Sequence, residues 1–159
     1  MSDITDFLGN QKEIDGTDLF HMILWGNEKL EEVHNFIQWM FPNRTASQHN
    51  LEAPLLTDED IQAIESSDKL KMSIALCCER MIRFYFIDND SWKTPGNHNF
   101  LRITRIFLFL SEFKFTSSYK KTILLNLLKK DCPAFDECWG YWYAALDNKP
   151  FSRDCSSTG

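Results

Sequence analysis

The sequence predicts an all-α protein, a single compact orthogonal bundle of roughly six to seven helices. Three observations point to it. Hydrophobic residues make up 43% of the 159 positions, enough to pack a core. Bulky aromatics are many, with 13 Phe and 5 Trp, while turn formers are few, with 6 Gly and 5 Pro. That balance favours long helices around an aromatic core over a many-turned β fold. Apolar residues also recur at helical spacing, punctuated by capping residues, and no segment reads convincingly as a strand.

Residues 1–16 are polar, lack a sustained period and read as a loose lead-in to a helical domain over 17–147. Residues 17–25 form a short helix capped by Thr17 or Asp18 and ended by Gly26. Over Asn27–Phe41, a turn of about 100° per residue gathers Leu30, Val33, Ile37, Met40 and Phe41 on one arc before Pro42 stops the helix. Trp39 falls opposite that arc, so either both faces are covered or Trp39 lines a groove. Residues 43–56 have loop composition. Thr57-Asp58-Glu59-Asp60 resembles a capping box with Asp in place of Glu and opens a helix to about Glu65.

Asp68–Asp88 carries the cleanest stripe, with Leu70, Ile74, Cys77, Met81, Phe84 and Tyr85 on one face and the i,i+4 pair Glu79–Arg83 opposite. After a turn-rich loop over 89–97, residues 98–113 are apolar nearly all round and read as the centre of the bundle. Ser118–Lys130 is similar but shorter, with Lys120, Lys121, Lys129 and Lys130 as solvated ends. Asp131-Cys132-Pro133 starts a last helix with Pro near its first position, and Phe135, Cys138, Trp139, Trp142 and Leu146 share its face. Residues 148–159 read as a flexible tail.

Composition narrows function by exclusion. A net charge of -6 argues against nucleic acid as the main ligand, because phosphate neutralisation calls for a basic excess. The five cysteines, at 77, 78, 132, 138 and 155, are odd in number and form no C-x-x-C pair. This pattern favours reduced thiols in an intracellular setting over disulfides or a zinc knuckle. Buried small hydrophobe is the role expected of Cys77, Cys78 and Cys138. Four histidines, at 21, 34, 49 and 98, show no ligand spacing, so no metal and no cofactor are expected. The acidic N-terminus has no signal-peptide core, and the longest apolar run, Ile106–Leu110, is far short of a membrane span. Motifs for nucleophilic, phosphate-loop or zinc-protease chemistry are missing, so no catalytic residue is assigned.

Two polar constellations interrupt the apolar pattern. The first joins His34 and Gln38, i,i+4 neighbours on the expected helix, with Trp39, Asn43 and Arg44 at and just past its end. An imidazole, two amides and a guanidinium there could converge on a polar or anionic ligand. Equally, His34 could be a half-buried core histidine and Arg44 a solvated loop cation. The second is His98, Asn99, Arg102 and Arg105, with Asn99–Arg102 and Arg102–Arg105 at i,i+3 along one edge of an apolar helix. A guanidinium bordering apolar surface needs an acidic partner pinning two helices, or a bound anion. Free N–H groups at that helix N-terminus favour an anion.

The same segments carry a resemblance. Gln38-Trp39-Met40-Phe41-Pro42 after His34, then Ala53-Pro54-Leu55-Leu56-Thr57, then Asn99-Phe100-Leu101-Arg102-Ile103-Thr104-Arg105-Ile106 closely resemble the opioid growth factor receptor conserved region. Its pattern reads approximately H-x-Y-I-Q-W-L-F-P and, later, N-x-L-R-I-T-R-I-L. Trp25 before Leu30-Glu31 matches an upstream part. The resemblance spans roughly residues 17–146. Phe36 stands in place of the usual Tyr, and Met40 and Phe107 in place of Leu. The chain is expected to be a short stand-alone relative without the animal receptors' long tail.

The resemblance implies an all-α domain with a receptor role for an opioid peptide, nuclear association and growth control. Two functional readings follow. One is a non-enzymatic binding or regulatory module holding a peptide, a small anionic ligand or a protein partner through His34, Gln38, Trp39, Asn43, Arg44, His98, Asn99, Arg102 and Arg105. The other is an enzyme using His34 or His98 as general base, with Arg102 and Arg105 binding an anionic substrate. Either is expected to be soluble and intracellular, cytoplasmic or nucleus-associated, with no membrane span.

Overall fold

The computed structural model describes residues 2–47, 50–129 and 132–146, with only the backbone of Leu146. His49, Lys130, Asp131, Cys155 and the expected tail over 148–159 lie outside the described residues. Within them the chain is all-α. Nine α-helices are joined by one π-helical and one 3-10 segment, and an isolated bridge between Ile14 and Thr17 is the only β pairing among the described residues. The helices group into two compact units, Met1–Phe84 and Tyr85–Gly159.

The first unit begins with a helix that the lead-in reading did not foresee. α1 (Asp3–Leu8) starts on a reciprocal capping box between Ser2 and Thr5, and buries Ile4, Phe7 and Leu8 at i,i+3,i+4. α2 (Leu19–Ile23) is capped by Asp18, whose carboxylate accepts from the His21 N–H at 2.9 Å. That backbone donor, helped by the His21 ring, holds the Asp18 carboxyl below its usual range.

The single helix expected over Asn27–Phe41 is in fact two, α3 (Asn27–Glu32) and α4 (Ile37–Met40). Between them Val33 is extended, at φ -83° and ψ 124°. Several forces favour the break. Glu31 and Glu32 are unfavourable at a helix C-terminus, and Val33 is β-branched. Asn35 donates to the carboxylate of Asp15, in the loop before α2. Breaking here lets the consecutive residues Phe36–Asn43 all become buried, which no single helix face could do. Trp39 is therefore covered, with its ring 5.7 Å from that of Phe7.

α5 (Asp58–Glu65) has the expected Thr57–Asp60 capping box. Asp60 is itself buried and also accepts a bond from the Ser2 hydroxyl, so one carboxylate ties the starts of α1 and α5 together. α6 (Asp68–Arg83) turns the predicted stripe inward, with Glu79 and Arg83 exposed. Its Arg80 donates through Nη2 to the Trp25 carbonyl at 2.9 Å and to Asn27 Oδ1 at 2.8 Å, anchoring the turn between α2 and α3. At Phe84–Asp88 the winding widens into a π-helical turn, which buries Phe84 and Tyr85 side by side.

In the second unit, α7 (His98–Leu110) starts on Asn97 and is packed by α8 (Ser117–Lys129) and α9 (Trp139–Leu146). The last helix, expected to be continuous from residue 131, is split. A 3-10 segment over Pro133–Glu137 precedes α9, closed by bonds from Phe135 N–H to Cys132 O and from Cys138 N–H to Phe135 O, both 2.9 Å. The core is aromatic. Trp92, Phe100, Phe135 and Trp142 are all buried, and their ring centroids lie 5.4 to 6.2 Å apart in mostly edge-to-face pairs. Trp92 Nε1 donates to the Tyr85 and Asn89 carbonyls at 3.1 and 3.0 Å, so the ring is fixed by polar bonds as well as by packing.

Candidate functional site

The two constellations fall one in each unit. In the first, the helix break takes His34 off the helix that carries Gln38, so the expected i,i+4 pairing on one face is not formed. His34 is exposed in the linker, whereas Gln38, Trp39 and Asn43 are buried. Asn43 Nδ2 donates to the Phe41 carbonyl at 3.2 Å, and the Asn43 carbonyl accepts from the Leu56 N–H at 2.9 Å, closing the loop that follows α4. The Gln38 Oε1 is buried and receives no hydrogen bond from any described residue. Arg44 points outward and pairs with Asp58 at 2.8 Å, in the first turn of α5.

In the second, Asn99 is the hub. Fully buried, its Oδ1 accepts from the Tyr85 hydroxyl at 2.9 Å and from Arg102 Nη1 at 3.4 Å, while its Nδ2 donates to Asn97 Oδ1 at 3.0 Å. Asn97 in turn caps α7 and donates to Thr94 Oγ1 at 3.1 Å. Arg102 is buried like Asn99 and donates to its side-chain amide. His98 is exposed at the first residue of α7. Arg105 is half-buried, and burial pushes its guanidinium down to about 10, which leaves it cationic at neutral pH. Tyr85 is the network member that sequence reasoning placed only as stripe core. The signal was its hydroxyl, which needs a partner wherever a Tyr is buried.

Cys77 and Cys78 are buried and poor nucleophiles, whereas Cys132 and Cys138 are half-buried. Burial pushes Cys77 up to about 12 and raises Cys78 well above the ordinary thiol range. Among the described residues, no three His, Cys, Asp or Glu side chains group as a metal site, and no helix is long and apolar enough to cross a membrane.

Both constellations lie inside a segment of known type. The sequence pattern of the opioid growth factor receptor (OGFr) conserved region matches residues 10–135. This chain belongs to that family. The mouse opioid growth factor receptor is 33% identical over 52% of this chain, a stretch that is 16% of the receptor. Its human counterpart is 31% identical over 79% of this chain and 21% of the receptor. The mouse opioid growth factor receptor-like protein 1 is 31% identical over 64% of this chain and 25% of its own length. The chain therefore spans a quarter or less of each of these relatives. No solved structure matches it.

Within the OGFr family region, the motif around residues 36–43 is the buried α4 and its exit, and the motif around 99–106 is the first two turns of α7. There Asn99, Phe100, Arg102, Ile103 and Ile106 are buried and Leu101 is exposed. Phe36, where the family pattern has Tyr, lies edge-on to Trp25 at 5.8 Å with no exposure, so its lack of a hydroxyl leaves no buried polar group to satisfy.

Proposed function

We propose that this member of the OGFr family is a non-enzymatic binding module for a peptide or a small anionic ligand. Each constellation is a candidate contact surface in its own unit, through the exposed His34 and Arg44 in the first and the exposed His98, with the half-buried Arg105 on the same helix, in the second. Gln38, Trp39, Asn43, Asn99 and Arg102 serve as buried positioning residues behind them. The observation carrying this reading is that the family's two most distinctive motifs each set exposed polar residues next in sequence to buried polar ones. An accessible guanidinium or imidazole braced by fixed neighbours binds an anionic or amide-bearing group at lower entropic cost. The names of the relatives, as receptors for a growth factor, support a peptide or protein ligand. A cytoplasmic or nucleus-associated setting belongs to the same proposal.

Titrating the protein with opioid peptides and with small carboxylates and phosphates, read by tryptophan fluorescence and calorimetry, tests it. Saturable binding is expected. Arg44→Ala or His98→Ala, both at exposed positions, should weaken it about tenfold or more at unchanged melting temperature. Affinity indifferent to both substitutions would overturn the site assignment.

A further inference from the structure

Helix α8 turns a second, separate surface outward. It buries only Ile123 and Leu127. At about 100° per residue these share one side, and the opposite side carries Lys121, Leu125 and Lys129 in a single i,i+4,i+8 line, with Leu128 beside it. Leu125 is 53% and Leu128 50% exposed, and both lysines are exposed too. The charge is one-sided. From residue 114 to 129 the sequence has Lys114, Lys120, Lys121 and Lys129 and no carboxylate, in a chain whose net charge is -6. A leucine held between two cations one turn away on either side is therefore a local reversal of the protein's overall charge.

We propose that this outer face of α8 docks an acidic segment of another protein, one that lays an apolar side chain over Leu125 and Leu128 and sets carboxylates against Lys121 and Lys129. Exposed leucines scattered singly need no partner. Here two adjacent ones are framed by like charges, the complement of an acidic amphipathic helix. A lipid surface fits less well. An interfacial helix separates a broad apolar face from a basic rim. α8 commits Ile123 and Leu127 to its own unit and sets lysines into the same line as Leu125, leaving an apolar strip too narrow to lie in a bilayer interface.

The probe is a short helical peptide carrying leucine flanked by glutamate at i-4 and i+4, compared with its lysine-flanked counterpart and with equimolar phosphatidylserine–phosphatidylcholine vesicles. Anisotropy and co-sedimentation at low ionic strength supply the readouts. Preference for the acidic peptide is expected. The double variant Lys121→Glu, Lys129→Glu should lose about tenfold in affinity for it and gain affinity for the lysine-flanked peptide. Leu125→Ser with Leu128→Ser, at exposed positions that spare the core, should also weaken the acidic peptide while the thermal melt stays in place. No binding of the acidic peptide, equal binding of both peptides, or indifference to both variants overturns the proposal. Vesicle binding that exceeds peptide binding and disappears in the charge-reversed variant overturns it in favour of lipid.

Discussion

The two units secure their helices by different means. In the first, each of α1, α2, α5 and α6 starts on a side-chain cap, from Ser2, Asp18, Thr57 and Ser67 in turn, and Asp60 links two of those starts. In the second, a capping side chain opens α7, while the weight falls on the Trp92–Phe100–Phe135–Trp142 cluster and on the Asn99 network. Capped helix starts mark one unit, and an aromatic cluster with a buried hydrogen-bond network marks the other. The difference teaches where damage should spread. A lost cap frays one helix end, whereas a lost hub strands several buried groups at once.

The largest effect is therefore expected from Asn99→Leu. It removes the acceptor of the Tyr85 hydroxyl and of Arg102 Nη1 while keeping apolar bulk, and should cost about 3 kcal/mol in urea denaturation. A loss below about 1 kcal/mol would mean that buried water replaces the amide, and the contrast between the units would collapse. Thr57→Ala should cost about 1 kcal/mol, because the capping box is one device among several in its unit. A loss as large as that of Asn99→Leu would show the Ser2–Asp60–Thr57 junction acting as a hub in its own right. Smallest of all should be Gln38→Met. Its Oε1 gains no bond that the apolar isostere would lose, so the urea midpoint should stay put or rise. A fall of more than about 1 kcal/mol would reveal a hidden donor.

The same contrast explains what could be read in advance. The caps on Asp18 and Thr57, the α6 stripe and the apolar α7 are written in local spacing, and a helical fold follows from them. α1 was also legible, since Ser2 precedes Ile4, Phe7 and Leu8 at helical spacing, but six residues are too few to stand out from a polar terminus. The break at Val33 was not legible. Periodicity continues through it, and what decides it is the burial of every residue from Phe36 to Asn43, a tertiary demand. The candidate residues divide in the same way. Sequence spacing found Asn99 and Arg102 on one edge, yet the Tyr85 hydroxyl that donates to Asn99 comes from a different element fourteen positions earlier. Exposure separates His34, Arg44 and His98 from their buried neighbours, and helical spacing has no means of expressing it.

Cys77 and Cys78 give the first unit an internal clock. Both thiols are fully enclosed and hold their protons at neutral pH, so an alkylating reagent can reach them only when α6 and its neighbours come apart. The labelling rate of this adjacent pair then counts opening events in the native protein, and the partly exposed Cys132 supplies the reference rate for a thiol that needs no opening. A feature that began as inert filling thus becomes a native-state stopwatch that needs no added probe.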